Sequence, residues 1–98
     1  QRQMCIRDRA QIDADLLKYP LRLRRWRNGD WFIPFGMTGR KKVGDFLTDC
    51  KTSAIEKQRQ FVLLSGDDIV WVVGRRIDDR YRLTEKSENV LKIIRETI

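Results

Sequence analysis

The 98-residue chain contains no histidine. That absence removes the imidazole base on which Ser-His-Asp and Cys-His catalysis depend, and it leaves a protein-only zinc site hard to assemble. Cysteine is nearly missing as well. Cys5 and Cys50 are too far apart for metal-ligand spacing and too few for a disulfide framework, so two free thiols in a reducing cytosol are expected. No apolar run approaches the roughly 20 residues that span a membrane. The longest, "FVLL" at 61–64 and "IVWVV" at 69–73, have the length of buried strands. Internal repeats and low-complexity tracts are also lacking. What remains, 41% hydrophobic and 36% charged residues, suits one small globular domain with a modest core.

Acids are scarce in one place. Residues 20–42 hold seven Lys or Arg (Arg22, Arg24, Arg25, Arg27, Arg40, Lys41, Lys42) against a single acid, Asp30, whereas residues 43–98 hold ten of each sign. Nearly all of the net charge of +7 therefore lies in about a quarter of the chain. A local field of that kind fits a polyanion, nucleic acid ahead of anionic lipid. Solubility alone does not require such clustering.

The pattern of elements predicts an α+β fold: a small single domain of several short, mainly antiparallel strands with two short helices. Residues 1–10 show no periodicity and resemble mistranslated sequencing-adapter DNA. They read as a non-native or disordered tail, and the natural protein is expected to begin further upstream. Residues 11–19 form a lead-in segment, weakly helical or extended, and residues 20–98 form the domain. After Pro20, "LRLR" alternates with period two. Leu21 and Leu23 are expected on one face and Arg22 and Arg24 on the other. Beyond it, either the strand bulges or Trp26 shares the arginine face. "NGD" at 28–30 and "GMTG" at 36–39 are turns around the short extended "WFIPF". Val43, Phe46, Leu47 and Cys50 lie on one face of a short helix. Thr52 or Ser53 caps a second helix that ends near Arg59. Residues 61–73 read as a central hairpin, apolar on both faces, with residues 65–68 as its loop. "NVLKIIRETI" reads as a closing strand.

Few patterns suggest chemistry. "LLSGDD" at 63–68 resembles a phosphate-gripping loop, but it has one glycine and two repelling carboxylates, so a plain hairpin turn is the better reading. Asp67/Asp68 and Asp78/Asp79 are paired acids in turns, and the arginines around the second pair make surface ion pairing the simplest account. No catalytic and no metal-binding residue is assigned. Trp31, Phe32, Phe35 and Trp71 read as packing residues. The basic segment rises above these alternatives. Arginine pairs with phosphate through a planar fork and stacks on bases. Arg22 and Arg24, about 6–7 Å apart along a strand, match the spacing of neighbouring phosphates. Gly36 and Gly39 let the backbone approach a ligand, and Arg40, Lys41 and Lys42 precede a helix N-terminus whose dipole would add to their field. Phosphate and shape recognition of structured RNA follows.

"RRWRNGDWFIPFGMTGRKKVGDFLTD" resembles the C-terminal domain of bacterial tRNA(Ile)-lysidine synthases, with its signature R-R-W-R-x-G-D-x-F-x-P-x-G-M-x-G-x-K-K-x-x-D-F. "DDIVWVVGRRIDDRYRLTEKSENVLKI" is similar to its continuation, D-x-I-V-W-V-x-G-x-R-I-D-x-R-[FY]. The likeness covers roughly residues 20–95. It departs at Asn28, where the family mostly has proline, and at Val43-Gly44, where Leu-Ser is common. Gly44 costs a helix about 1 kcal/mol. The resemblance implies a cytoplasmic enzyme that uses ATP, magnesium and lysine to convert the wobble cytidine of an isoleucine tRNA to lysidine. Its catalytic module carries a Ser-Gly-Gly-x-Asp-Ser loop that does not occur here, which implies a non-catalytic piece without a cofactor of its own. The family's C-terminal domain grips the acceptor-stem region, so the implied partners are tRNA and the catalytic domain of the same chain. Arg24, Arg25, Arg27, Arg40, Lys41 and Lys42 carry over as RNA contacts, beside Arg22 from the strand pattern. The rival readings are a protein-interaction or homodimerisation module using Trp31, Phe32 and Phe35, and a stand-alone enzyme.

Overall fold

The computed structural model describes residues 9–96. In chain order the elements are β1 (Arg9–Asp13), β2 (Leu21–Arg25), β3 (Trp31–Phe32), β4 (Lys41–Lys42), α1 (Val43–Asp49), α2 (Ala54–Arg59), β5 (Phe61–Ser65), β6 (Asp68–Val72), β7 (Arg76–Ile77) and β8 (Val90–Ile94). Short 3-10 turns lie at Ala14–Leu16 and Asp79–Tyr81. Four strands form an antiparallel sheet in the order β2-β5-β6-β7, so the apolar hairpin is central, as its two-sided hydrophobicity predicts.

Alternate side chains of β5 point to opposite faces, and each face has its own core. One gathers Val62, Leu64, Ile69 and Val72 with Phe32 of β3 and Val43, Phe46 and Leu47 of α1. Phe32 meets Phe46 edge to face at 5.1 Å. The other gathers Val70, Trp71 and Tyr81 with Ala10 and Ile12 of β1. A bulge between Leu63 and Leu64 lets Val70 and Trp71, adjacent in sequence, serve this same core.

β1 pairs with β8 in a ribbon across the second face. The closing strand was expected; its partner was not. The lead-in is part of the fold, and Arg9 and Ala10, read with the leading tail, open β1 with Ala10 buried. The inward pair Ala10 and Ile12 is too short a period-two signal to stand out. The rest of that tail, with Cys5, lies outside the described residues.

Both helices start and stop for local reasons. Ser53 caps α2 in a reciprocal box, its hydroxyl accepting from the Glu56 N–H at 3.1 Å while the Glu56 carboxylate accepts from the Ser53 N–H at 3.2 Å. α1 ends with the Thr52 N–H donating to the Leu47 carbonyl (3.1 Å) and the Lys51 N–H to the Thr48 carbonyl (2.9 Å). That closure puts Lys51 at φ 59°, a conformation that favours glycine.

Candidate nucleic-acid interface

The basic segment folds around Asp30. Its carboxylate takes a two-pronged bond from the Arg24 guanidinium, at 2.9 and 3.1 Å, and another from the Arg27 backbone N–H at 2.7 Å. The Asp30 carbonyl accepts from the Val43 N–H at 2.9 Å. One residue thus ties β2, the turn and the start of α1 together. Burial pushes the Asp30 carboxyl up, but the Arg24 guanidinium and the Arg27 N–H outweigh it and hold it below the usual carboxylate range. The same pairing raises Arg24.

The expected facing of β2 is reversed in its consequences. Arg22 and Arg24 do share a face, but their cross-strand partners are Leu64 and Val62, which belong to the α1-covered core. Arg24 is therefore half-buried and needs a carboxylate partner, while Leu23 is 60% exposed. Arg22, at the strand's other end, stays exposed and bonds the Gly66 carbonyl at 3.2 Å.

Trp26 follows the arginine face into that core. Its indole Nε1–H donates to the Lys57 carbonyl at 2.7 Å, and its ring lies 3.2 Å from where a Cβ on Gly44 would stand. Gly44 is thereby accounted for as the gap in α1 that admits the indole.

The 33–36 loop is latched by the acid pair at 78–79. Asp78 is fully buried, not a surface residue as the sequence suggests. It accepts from the Ile33 N–H (3.0 Å), the Arg80 N–H (2.7 Å) and the Arg80 guanidinium (3.0 Å to each oxygen). Asp79 accepts from the Gly36 N–H at 3.0 Å and pairs with Arg82. The Arg80 guanidinium, so fixed, lies 4.9 Å from the Trp31 ring centroid, and that of Arg40 lies 4.1 Å from it. The hairpin turns where expected but more tightly: Ser65 and Asp68 pair in the ladder, Gly66 and Asp67 make the turn, and Asp68 accepts from the Tyr81 hydroxyl at 2.8 Å. Burial, reinforced by Asp68, pushes Tyr81 up to about 12.

The seven expected cations thus divide. Arg24 pairs with Asp30, and Lys41 pairs with Asp49, which raises its ammonium. Among the described residues, Arg22, Arg25, Arg27, Arg40 and Lys42 form no ion pair. Strand pairing sets Trp31 opposite Lys42 and Phe32 opposite Lys41, which brings Lys42 beside the turn that Arg27 borders, while Arg40 lies over the Trp31 ring. Lys42 is the N-cap of α1 and makes no side-chain capping bond. Sequence reasoning missed Asp30, Trp31, Asp78 and Arg80 as the scaffold of this surface; the D-x-R spacing of "IDDRY" was the available signal for the last two. The aromatics expected to dock a partner are largely engaged: Phe32 is buried and Trp31 is overlaid by arginines, while Phe35 remains 51% exposed. Among the described residues no cluster of acids and thiols could hold a metal ion, and no helix is long and apolar enough to cross a membrane.

A family model described as the TilS substrate C-terminal domain matches residues 21–94. The chain belongs to this family. It is 57% identical over 82 residues to the tRNA(Ile)-lysidine synthase of Parabacteroides distasonis, covering 84% of this chain and 19% of that protein. It is 47% identical over 85 residues to that of Bacteroides thetaiotaomicron, covering 87% and 20%. The chain thus spans about a fifth of the length of the curated relatives it matches. A solved structure described as the crystal structure of TILS C-terminal domain shares the fold, with a TM-score of 0.74 at 22% identity over 94% of this chain and 74% of that one. The family's two motifs meet in space here: Asp30 and Lys41–Lys42 come from the first, Asp78 and Arg80 from the second, and Trp31 lies between them.

Proposed function

We propose that this chain is the tRNA-recognising C-terminal domain of a tRNA(Ile)-lysidine synthase. It holds tRNA by its sugar–phosphate backbone through Arg22, Arg25, Arg27, Arg40 and Lys42, while Arg24 and Lys41 brace the surface through Asp30 and Asp49. The parent activity, ATP- and magnesium-dependent ligation of lysine to the wobble cytidine, belongs to a catalytic domain elsewhere in the protein. This piece supplies affinity and placement, not chemistry, and its setting is the cytoplasm.

The observation that carries the reading is Lys42. A helix N-terminus favours an acceptor side chain and disfavours positive charge, yet Lys42 caps α1 with no capping bond and no acid paired to it among the described residues. A local choice that works against stability marks a position kept for function. Arg40, two residues earlier, is likewise exposed and stacked rather than ion-paired.

Filter binding of the chain to an isoleucine tRNA tests it. The Arg40→Ala/Lys42→Ala variant should bind roughly tenfold more weakly at low salt while melting as the wild type does. Unchanged affinity in that variant would refute the reading.

A further inference from the structure

The charge map of the sequence hides a second basic cluster, because its members come from segments that are neutral overall. A cleft of about 290 Å³ lies between α2 and the far end of the β5–β6 hairpin, and Arg59, Arg75 and Arg95 all line it, with Phe61 and Ile55 as its apolar part. Among the described residues Glu56 is the only acid in the lining, and its carboxylate is bonded to the Ser53 N–H in the cap of α2.

The cleft is built. Gln60 is 7% exposed and uses its whole amide. Its Nε2 donates to the Phe61 and Val73 carbonyls, each at 2.8 Å, and its Oε1 accepts from Arg75 Nε at 2.9 Å. Among the described residues Arg75 is thus held through its Nε, which leaves its terminal amino groups for an anion. Gly74 adopts φ 79°, and the Arg95 guanidinium packs on it so closely that a Cβ there would collide. Phe61 is 36% exposed at the mouth. Arg25, its partner across the β2–β5 ladder, sets a guanidinium 5.8 Å from the ring centroid. Arg25 thus reaches the mouth of this cleft from the exposed end of β2.

We infer that this cleft is a second RNA subsite, which takes one nucleotide: its phosphate on Arg59 and Arg75, and its base against Phe61. The inference rests on the tRNA reading above and extends it. Guanidiniums around a partly exposed aromatic ring suit a phosphate with an adjoining unstacked base. The volume is at the small end for ligand clefts and matches a single nucleotide unit, not a duplex.

Binding of tRNA over a salt series tests it, with melting curves for each variant. Arg59→Ala/Arg75→Ala should lower affinity about tenfold at low salt and make the slope of log K against log salt shallower by roughly 2. Arg59→Glu, which disturbs none of the Gln60 bonds, should do the same in direction and keeps the test valid if loss of Arg75 loosens the fold. Phe61→Leu should weaken binding several-fold with the slope unchanged. Wild-type affinity and slope in both arginine variants, with Arg40→Ala/Lys42→Ala still impaired, would overturn the second subsite and leave the first interface standing. A wild-type chain that binds no tRNA would overturn both.

Discussion

The Arg40 guanidinium lies 4.1 Å from the centroid of the Trp31 ring, and the same ring carries Arg80 at 4.9 Å. Arg80 is in turn fixed by the buried Asp78 carboxylate. The order of a core acid is thereby passed through an arginine and an indole to an exposed cation. An unsupported arginine beside Gly39 would lose more rotamer freedom on meeting phosphate. Trp31→Leu should therefore weaken tRNA binding by about 1 kcal/mol, roughly fivefold. In an Arg40→Ala background the same change should have little further effect, which a double-mutant cycle in binding titrations would read. An equal loss in both backgrounds would show that Trp31 acts through the fold alone.

Asp30 links stability to acid. Its folded carboxyl lies below its ordinary range, so the stability it contributes is complete above about pH 4 and is lost as pH falls through the folded value. Asp30→Asn should cost about 2 kcal/mol at neutral pH, because Arg24 is left half-buried without its partner. It should also flatten the acid limb. Urea unfolding between pH 3 and pH 7 would show both effects. An unchanged acid limb would place the titrating group elsewhere.

Much of this fold was legible in the sequence. Two short continuous apolar runs around a turn gave the central hairpin, period 3.6 gave α1, and Ser53 was one of the two candidate caps for α2. The basic segment was legible as a concentration of charge. Its division was not, because the Lys41–Asp49 pair depends on how α1 packs beside β4, and the burial of Asp78 depends on how β7 delivers it beneath the 33–36 loop. The β1–β8 ribbon was half legible: β8 has a strand's composition, whereas β1 shows only two inward residues. The arginines of the second cleft lie at positions 59, 75 and 95, inside a stretch, residues 43–98, that is neutral overall, and only the fold collects them.

Lys51 closes α1 in the left-handed region, where a side chain is strained. Lys51→Gly should raise stability by about 1 kcal/mol, measured by thermal or urea unfolding, with the Schellman closure kept. A loss of stability would mean that the Lys51 side chain makes up for its backbone.

Trp26 is a packing residue in this account. Trp26→Phe keeps a ring against Gly44 but deletes the donor to the Lys57 carbonyl, so it should cost about 1 kcal/mol of stability. Its tRNA affinity, compared well below the melting range, should match the wild type. Weakened binding by a fully folded variant would instead make Trp26 a base-stacking residue.

The most direct test of the central claim is the dependence of tRNA affinity on salt. Five cations of the basic segment without ion pairs among the described residues, each meeting one phosphate, predict a slope of log K against log salt on the order of −4 for the first interface alone, steeper with the second cleft engaged. Affinity that is independent of salt would contradict a phosphate-gripping surface.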